Sequence, residues 1–218
     1  MSRAPSSPAP PDLPDELARL DEIPGELRKL ELEGRLLDGL DMTERDATGL
    51  RLVESRLKQV ELTGAKLHGA SLRDVEVAGG SWANLAADSL TLKRGELRGV
   101  RLTGAALGNA SLEDVVFADC RIDLARFRFA KLLCVRFESC RLEEADFYAA
   151  SLTSVVFNDC DLTGVSLAGA TFVESELRGC KLSEVGNPER LRGVRMPWPD
   201  VVQAADVLAL AVGIDIVE

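Results

Sequence analysis

Residues 105–149 read AALGN ASLED VVFAD CRIDL ARFRF AKLLC VRFES CRLEE ADFYA, a strict beat of five. The third residue of each block is large and apolar: Leu107, Leu112, Phe117, Ile122, Phe127, Leu132, Phe137, Leu142 and Phe147. The first is small, as in Ala105, Ala110, Cys120, Ala125, Ala130, Cys140 and Ala145. Carried outward, the beat of large residues begins at Leu32 and ends at Leu182, and only Ala47 and Ala87 fall short in size. A helix needs apolar residues at a spacing of 3.6 and a strand at 2.0, so neither explains this period. A period this regular is a repeat architecture and takes precedence over any local reading.

A chain that turns a corner every five residues satisfies the pattern. Alternate residues of an extended segment share a face, so the large residue and the small one two before it both point inward. The residues between them point outward and are mostly polar. The corner slots often hold Gly64, Gly69, Gly99, Gly104, Asn109, Asp119, Gly164 and Gly169, residue types that tolerate turn dihedrals.

These blocks resemble the pentapeptide-repeat family, whose motif is roughly A(D/N)LXX. Good copies are Ala65-Lys66-Leu67, Ala110-Ser111-Leu112, Ala145-Asp146-Phe147, Ala150-Ser151-Leu152 and Ala170-Thr171-Phe172. The resemblance implies an all-β fold, a right-handed quadrilateral parallel β-helix with four blocks and twenty residues per coil. Coils stacked like neighbouring strands, at about 4.8 Å each, give a rod roughly 35–40 Å long.

The sequence divides into four parts. Residues 1–14 are rich in Pro, Ser and Ala and read as a disordered tail. Residues 15–31, with Leu17, Leu20, Ile23, Leu27 and Leu30 around Pro24-Gly25, read as an N-terminal cap, a short helix or irregular segment. A cap is needed because a coil end exposes unpaired strand edges. The solenoid is 32–184. Residues 185–218 read as a C-terminal helical cap or dimerisation segment, with a helix starting near Pro197-Trp198-Pro199-Asp200 and ending at Gly213, then a strand-like alternation over 214–217.

Some positions strain the pattern. Arg35 and Arg45 fall in inward small slots and must escape to solvent or to the cap. Around Gly79-Gly80-Ser81-Trp82, the large residues Leu85 and Leu90 occupy small slots and Ala87 a large one, which predicts a bulge or local register slip over 79–92. Leu124, Phe129, Leu133 and Tyr148 point outward where the wall is otherwise polar, and exposed apolar clusters mark contacts.

Chemistry for catalysis is absent from the pattern. His68 is the one histidine and follows a large residue, so it faces solvent with no nucleophile beside it. Cys120, Cys140, Cys160 and Cys180 stack in one inner column, where thiols act as small hydrophobes. A straight column supplies no tetrahedron for zinc, and Cys134, in a corner, is the accessible thiol. No cofactor, metal or small-molecule substrate is expected, and no enzyme activity. No apolar stretch spans a membrane. Met1–Pro14 lacks an apolar signal core, which places the expected compartment in the cytoplasm.

Charge supplies a further clue. The chain carries −10, unevenly. Glu143, Glu144, Asp146, Asp159, Asp161, Glu174 and Glu176 make 143–183 acidic, beside a basic band of Arg121, Arg126, Arg128, Lys131, Arg136 and Arg141. Length, unbroken repeat and apolar C-terminal segment are similar to the quinolone-resistance members of the family. That resemblance implies a homodimer, here joined through Val201, Val202, Val207, Leu208, Leu210 and Val212. It further implies a rod that mimics DNA and engages DNA gyrase or another topoisomerase without binding nucleic acid itself, conferring antibiotic resistance. The alternative is a structural scaffold or protein-binding module of another partner.

Overall fold

The computed structural model describes residues 4–214, 216 and 217. One parallel sheet winds into a β-solenoid of about eight turns. It holds β1 (Ala18–Leu20), β2 (Glu31–Glu33), β3 (Arg35–Asp38), β4 (Arg51–Lys58), β5 (Ser71–Ala78), β6 (Thr91–Arg98), β7 (Ser111–Ala118), β8 (Lys131–Glu138), β9 (Ser151–Thr153), β10 (Val156–Asn158), β11 (Thr171–Val173) and β12 (Glu176–Arg178). The register advances by twenty from coil to coil, as in Leu72↔Leu92, Leu92↔Leu112 and Leu112↔Leu132. Each coil has four sides. The 131–133 and 136–138 sides and their equivalents pair as strands, and the 121–123 and 126–128 sides pair through single bridges such as Arg121↔Arg141 and Arg126↔Asp146.

Every fifth residue from Lys29 to Glu184 has a positive φ, so every corner is left-handed. This is why the turn residues recur on the same beat as the core. The inner columns are filled as the beat requires, and Phe137 stacks between Phe117 (centroids 5.0 Å) and Phe157 (4.8 Å). Phe127 and Phe147 form a second stack at 4.8 Å that meets the first edge-on. Full burial of such side chains stabilises by about 1.5–3 kcal/mol each, which makes the rod's interior its main source of stability. The four column thiols are buried, and each Sγ lies against two carbonyls, as Cys120 against Leu97 and Ala118 at 3.3 Å.

The expected slip at 79–92 does not occur. Trp82, Leu85, Ala87 and Leu90 are all buried, and Ser81↔Arg101 and Ala86↔Ala106 keep the register. Within this coil the bulk of Trp82 is offset by Gly80 and Ala87, so volume is redistributed around one coil and the chain stays in step. Gly80 has φ +89, and a Cβ there would collide with the Val60 carbonyl oxygen, so glycine is required. Arg45 does reach the cap, donating to the carbonyls of Pro24 and Gly25 at 3.1 and 2.8 Å.

At the N-terminal end the cap over 15–31 takes the irregular form of the two expected. No helix forms over 15–31. Instead β1 adds to β3 in register Ala18↔Arg35, an offset of seventeen, and Leu27 is buried over the first coil. Paired backbone edges outweigh helix formation in a segment interrupted by Pro24-Gly25. Of the expected 1–14 tail, residues 1–3 lie outside the described residues, and 4–14 are not loose. Residues 4–14 lie along the rod, with the Ala9 amide donating to Asp114 Oδ1 and the Asp12 amide to Asp74 Oδ1, both at 3.1 Å. At the far end a 3-10 turn (Pro188–Leu191) precedes α1 (Trp198–Gln203) and α2 (Ala205–Ala211), so the expected single helix is broken at Ala204. Ile214, Ile216 and Val217 belong to no strand, and Asp215 lies outside the described residues.

Candidate functional site

The seven acidic candidates do not share a face. Glu143 and Asp161 lie on the 121–123 side and its equivalents, Asp146 on the next, and Glu176 on the 136–138 side. Glu144, Asp159 and Glu174 occupy three different corners. Four of the seven are already paired. Arg128 reaches Asp146 at 2.5 Å, Arg141 reaches Glu143 at 2.6 Å and Lys181 reaches Asp161 at 2.8 Å, while Glu176 meets Arg178 and Arg195. Burial opposes ionisation of Asp161, but Lys181 and Thr163 outweigh it and hold its carboxyl below the usual range. The winding of the chain spreads residues adjacent in sequence around the rod, which the acid count alone does not show.

The basic band behaves differently. Arg101, Arg121 and Arg141 stand in one column on one side, and Arg126 and Arg128 lie on the adjoining side. Arg101, Arg121 and Arg126 enter no ion pair among the described residues. Around them are the outward apolar residues. Leu124 (52 % exposed) occupies the corner between the two sides, and Phe129 (52 %) the next corner. Tyr148, one coil beyond Arg128, is 44 % exposed. Its ring meets Phe129 edge-on at 5.4 Å and carries the Arg128 guanidinium at 5.9 Å. Leu133 belongs to the following side and extends this belt away from the arginines.

Leu124 and Phe129 both have φ 59, where a bulky side chain costs about 1–2 kcal/mol and Gly, Asn or Asp sits more easily. Neither residue recovers that cost through burial. Two exposed, apolar side chains at strained positions flanking unpaired arginines have the composition of an interface hot spot, rich in aromatics and Arg. The sequence showed the outward positions. The twenty-residue offset between Arg128 and Tyr148 was the signal for their contact.

The six C-terminal candidates divide. Val207 is buried and Leu208 half-buried, both packed on the chain's own last coils. Val201 is half-buried, and Val202, Leu210 and Val212 are exposed, with Trp198, Ile214, Ile216 and Val217 exposed nearby. Asp200 turns back and accepts the Gly179 amide at 2.7 Å, standing in for the carbonyl that a further coil would supply.

Elsewhere the chemistry is sparse. His68 is half-exposed, with Nδ1 3.5 Å from Asp88. Among the described residues there is no cluster of three metal-ligating side chains, and no helix is long and apolar enough to cross a membrane. Cys120 and Cys160 are held above the usual thiol range by hydrogen bonding to neighbouring thiols and by burial. Burial first, then Asp114 and Glu113, also pushes the Cys134 thiol up.

Comparison with known proteins places this architecture. The model described as "Pentapeptide repeat region" matches residues 90–167 and 130–186, and that described as "Pentapeptide repeats (8 copies)" matches 37–75. Among solved structures, a trypsin-treated variant of QnrB1, a plasmid-mediated fluoroquinolone resistance protein, is 18% identical, covering 91% of this chain and 95% of that one, with TM-score 0.47. HetL, a pentapeptide repeat protein involved in heterocyst differentiation regulation from the cyanobacterium Nostoc sp. strain PCC 7120, is 20% identical, covering 80% and 93%, with TM-score 0.34. A pentapeptide repeat protein from the Arabidopsis thaliana thylakoid lumen is 16% identical, covering 86% and 84%, with TM-score 0.23. No curated protein sequence matches. The repeat beat, the twenty-residue register and the family matches make this chain a member of the pentapeptide-repeat family.

Proposed function

We propose that this chain is a non-enzymatic, rod-shaped binding protein of the cytoplasm. It holds a protein partner on the belt formed by Leu124, Phe129 and Tyr148 with Arg121, Arg126 and Arg128. The observation that carries this reading is the exposure of Leu124 and Phe129 at left-handed corners, beside Arg121 and Arg126, which enter no ion pair among the described residues. The fitting partner presents acidic groups around an apolar recess, since complementary charge steers encounter and desolvated aromatics supply affinity. The free column thiols suit a reducing compartment.

The finer reading, a gyrase-directed DNA mimic conferring quinolone or natural-product resistance, has a narrower basis. A duplex presents a dense, continuous run of charge. Here Glu144, Asp159 and Glu174 are the acids of 143–183 without an ion pair among the described residues, and they point from three corners. One assay decides between the two. Gyrase supercoiling is measured with and without a fluoroquinolone, at micromolar protein, for the wild type, for Phe129→Ala/Arg126→Glu and for Glu144→Gln/Asp159→Asn/Glu174→Gln. Inhibition or protection abolished by the acid variant supports mimicry. With no effect on gyrase, photo-crosslinking from position 148 identifies a partner, and crosslinking from 148 that survives Phe129→Ala/Arg126→Glu overturns the belt.

Assembly is part of the proposal. Two copies join through Trp198, Val202, Leu210 and Val212, because a two-fold axis is the commonest way to cover such a surface. Val207 and Leu208 serve each chain's own cap instead. Leu210→Glu should sediment as a monomer where the wild type is a dimer, and a wild type that is already monomeric at micromolar concentration refutes the pairing.

A further inference from the structure

The N-terminal segment APSSPAPPDLP, residues 4–14, follows one corner of the solenoid, the series Asp74, Arg94, Asp114, Cys134. It runs against the direction of coil stacking. Asp12 is held at Asp74, Ala9 at Asp114, Ser6 beside Cys134, and Ser7 near Arg136 at 3.5 Å. Ala4 and Pro5 then reach the cleft bordered by Arg136, Val156 and Glu176.

The dimensions agree with a polyproline-II segment. Three residues from Ala9 to Asp12 rise about 9 Å in that conformation. Two coil spacings, from Asp114 back to Asp74, are about 9.6 Å. The exposure pattern has the same period. Pro5, Pro8 and Pro11 are half-buried, and Ser6, Ser7, Ala9 and Pro10 are exposed. A three-residue turn lays every third proline on the rod. Such a segment loses little entropy on docking, because it is already extended when free.

The rod meets it with fixed acceptors. Asp74 is 2 % exposed although it occupies an outward corner. Arg94 grips its two carboxylate oxygens, which leaves Asp74 rigid and charged under the Asp12 amide. Asp114 repeats the acceptor two coils on. None of residues 4–14 belongs to the buried core.

We propose that this corner is a binding track for an extended proline-rich segment with proline at every third position, and that residues 4–14 are its resident, displaceable ligand. The same sequence offered by another molecule fits the track equally well. The partner class is therefore a proline-rich peptide, read through proline spacing and through two backbone amides.

Cys134 reports on occupancy, because it lies under Ser6 and is the one cysteine that is not buried. The full-length protein is alkylated under native conditions, and labelling at Cys134 is followed by peptide mass. With Pro5, Pro8 and Pro11 all replaced by Ala, Cys134 should label about tenfold faster, the change expected for an occupancy weakened by about 1.4 kcal/mol. A synthetic peptide of residues 4–14 added to that variant should restore slow labelling, and a peptide with alanine at the three prolines should not. Equal rates in wild type and variant would show that the segment does not occupy the track. A released variant that the peptide fails to protect, or protection by the alanine peptide, overturns recognition of proline spacing.

Discussion

Asp74 and Arg94 occupy the same corner one coil apart and meet in a two-pronged ion pair, with Nε to Oδ1 and Nη2 to Oδ2 both at 2.5 Å. Burial disfavours the Asp74 carboxylate, yet Arg94 and the Asp12 amide outweigh it and hold the group below the usual carboxylate range. A folded-state pKa lowered in this way contributes stability that is present above the unfolded value and lost as pH falls through the folded one. Thermal melting from neutral pH down through the region below 3.8 should therefore show a drop that is smaller in Asp74→Asn. Replacing Arg94 with Ala leaves a buried carboxylate with only Arg73, at 3.8 Å, as a cationic partner and should cost about 3 kcal/mol. A melting temperature unchanged by Arg94→Ala would contradict this.

Phe127 and Phe129 lie two residues apart but should respond oppositely. Phe127 is fully buried in a ring stack, so Phe127→Asn loses about 3–5 kcal/mol or fails to fold. At Phe129, asparagine relieves a left-handed strain of about 1–2 kcal/mol. It also removes an exposed aromatic pair worth about 0.5–1.5 kcal/mol. Stability of Phe129→Asn should stay within about 1 kcal/mol of wild type while partner contact is lost. Chemical denaturation of both variants measures the contrast.

Phe137 touches rings above, below and to the side. Its truncation to alanine opens the column in the middle of the rod, at a cost of about 3–5 kcal/mol. Arg136, its neighbour in sequence, points outward to Glu138 and Ser7, and Arg136→Ala should cost under about 1 kcal/mol. Similar losses from the two would mean that inward and outward positions are wrongly assigned.

Asp200 closes the last coil by accepting the Gly179 amide. Asp200→Ala leaves that donor to water and should lower stability by about 1 kcal/mol. The loss should be local, visible as faster amide exchange at Gly179 than at Gly99. Unchanged exchange at Gly179 would show that the carboxylate is not the cap.

The solenoid, its inner columns and its corners follow from the order of residue types alone. A five-residue beat names the inward residues directly, and a coil of four blocks converts a difference of twenty into a neighbour, as for Phe117 and Phe137. Where the beat is silent, the tertiary structure decides. The path of residues 4–14 follows from the spacing of Asp74 and Asp114 along the rod, distances that exist only once coils stack. The addition of β1 to the sheet, rather than a helix, depended on an open edge that the first coil presents. Trp82 stays in register because its whole coil shares the volume, a constraint that no single block contains. The acids of 143–183 are close in sequence but fall on different sides, since each corner turns the next block to a new face. Arg128 and Tyr148 are distant in sequence, and stacking brings them together. In a solenoid, sequence decides which residues point in or out, and the winding decides which outward residues meet.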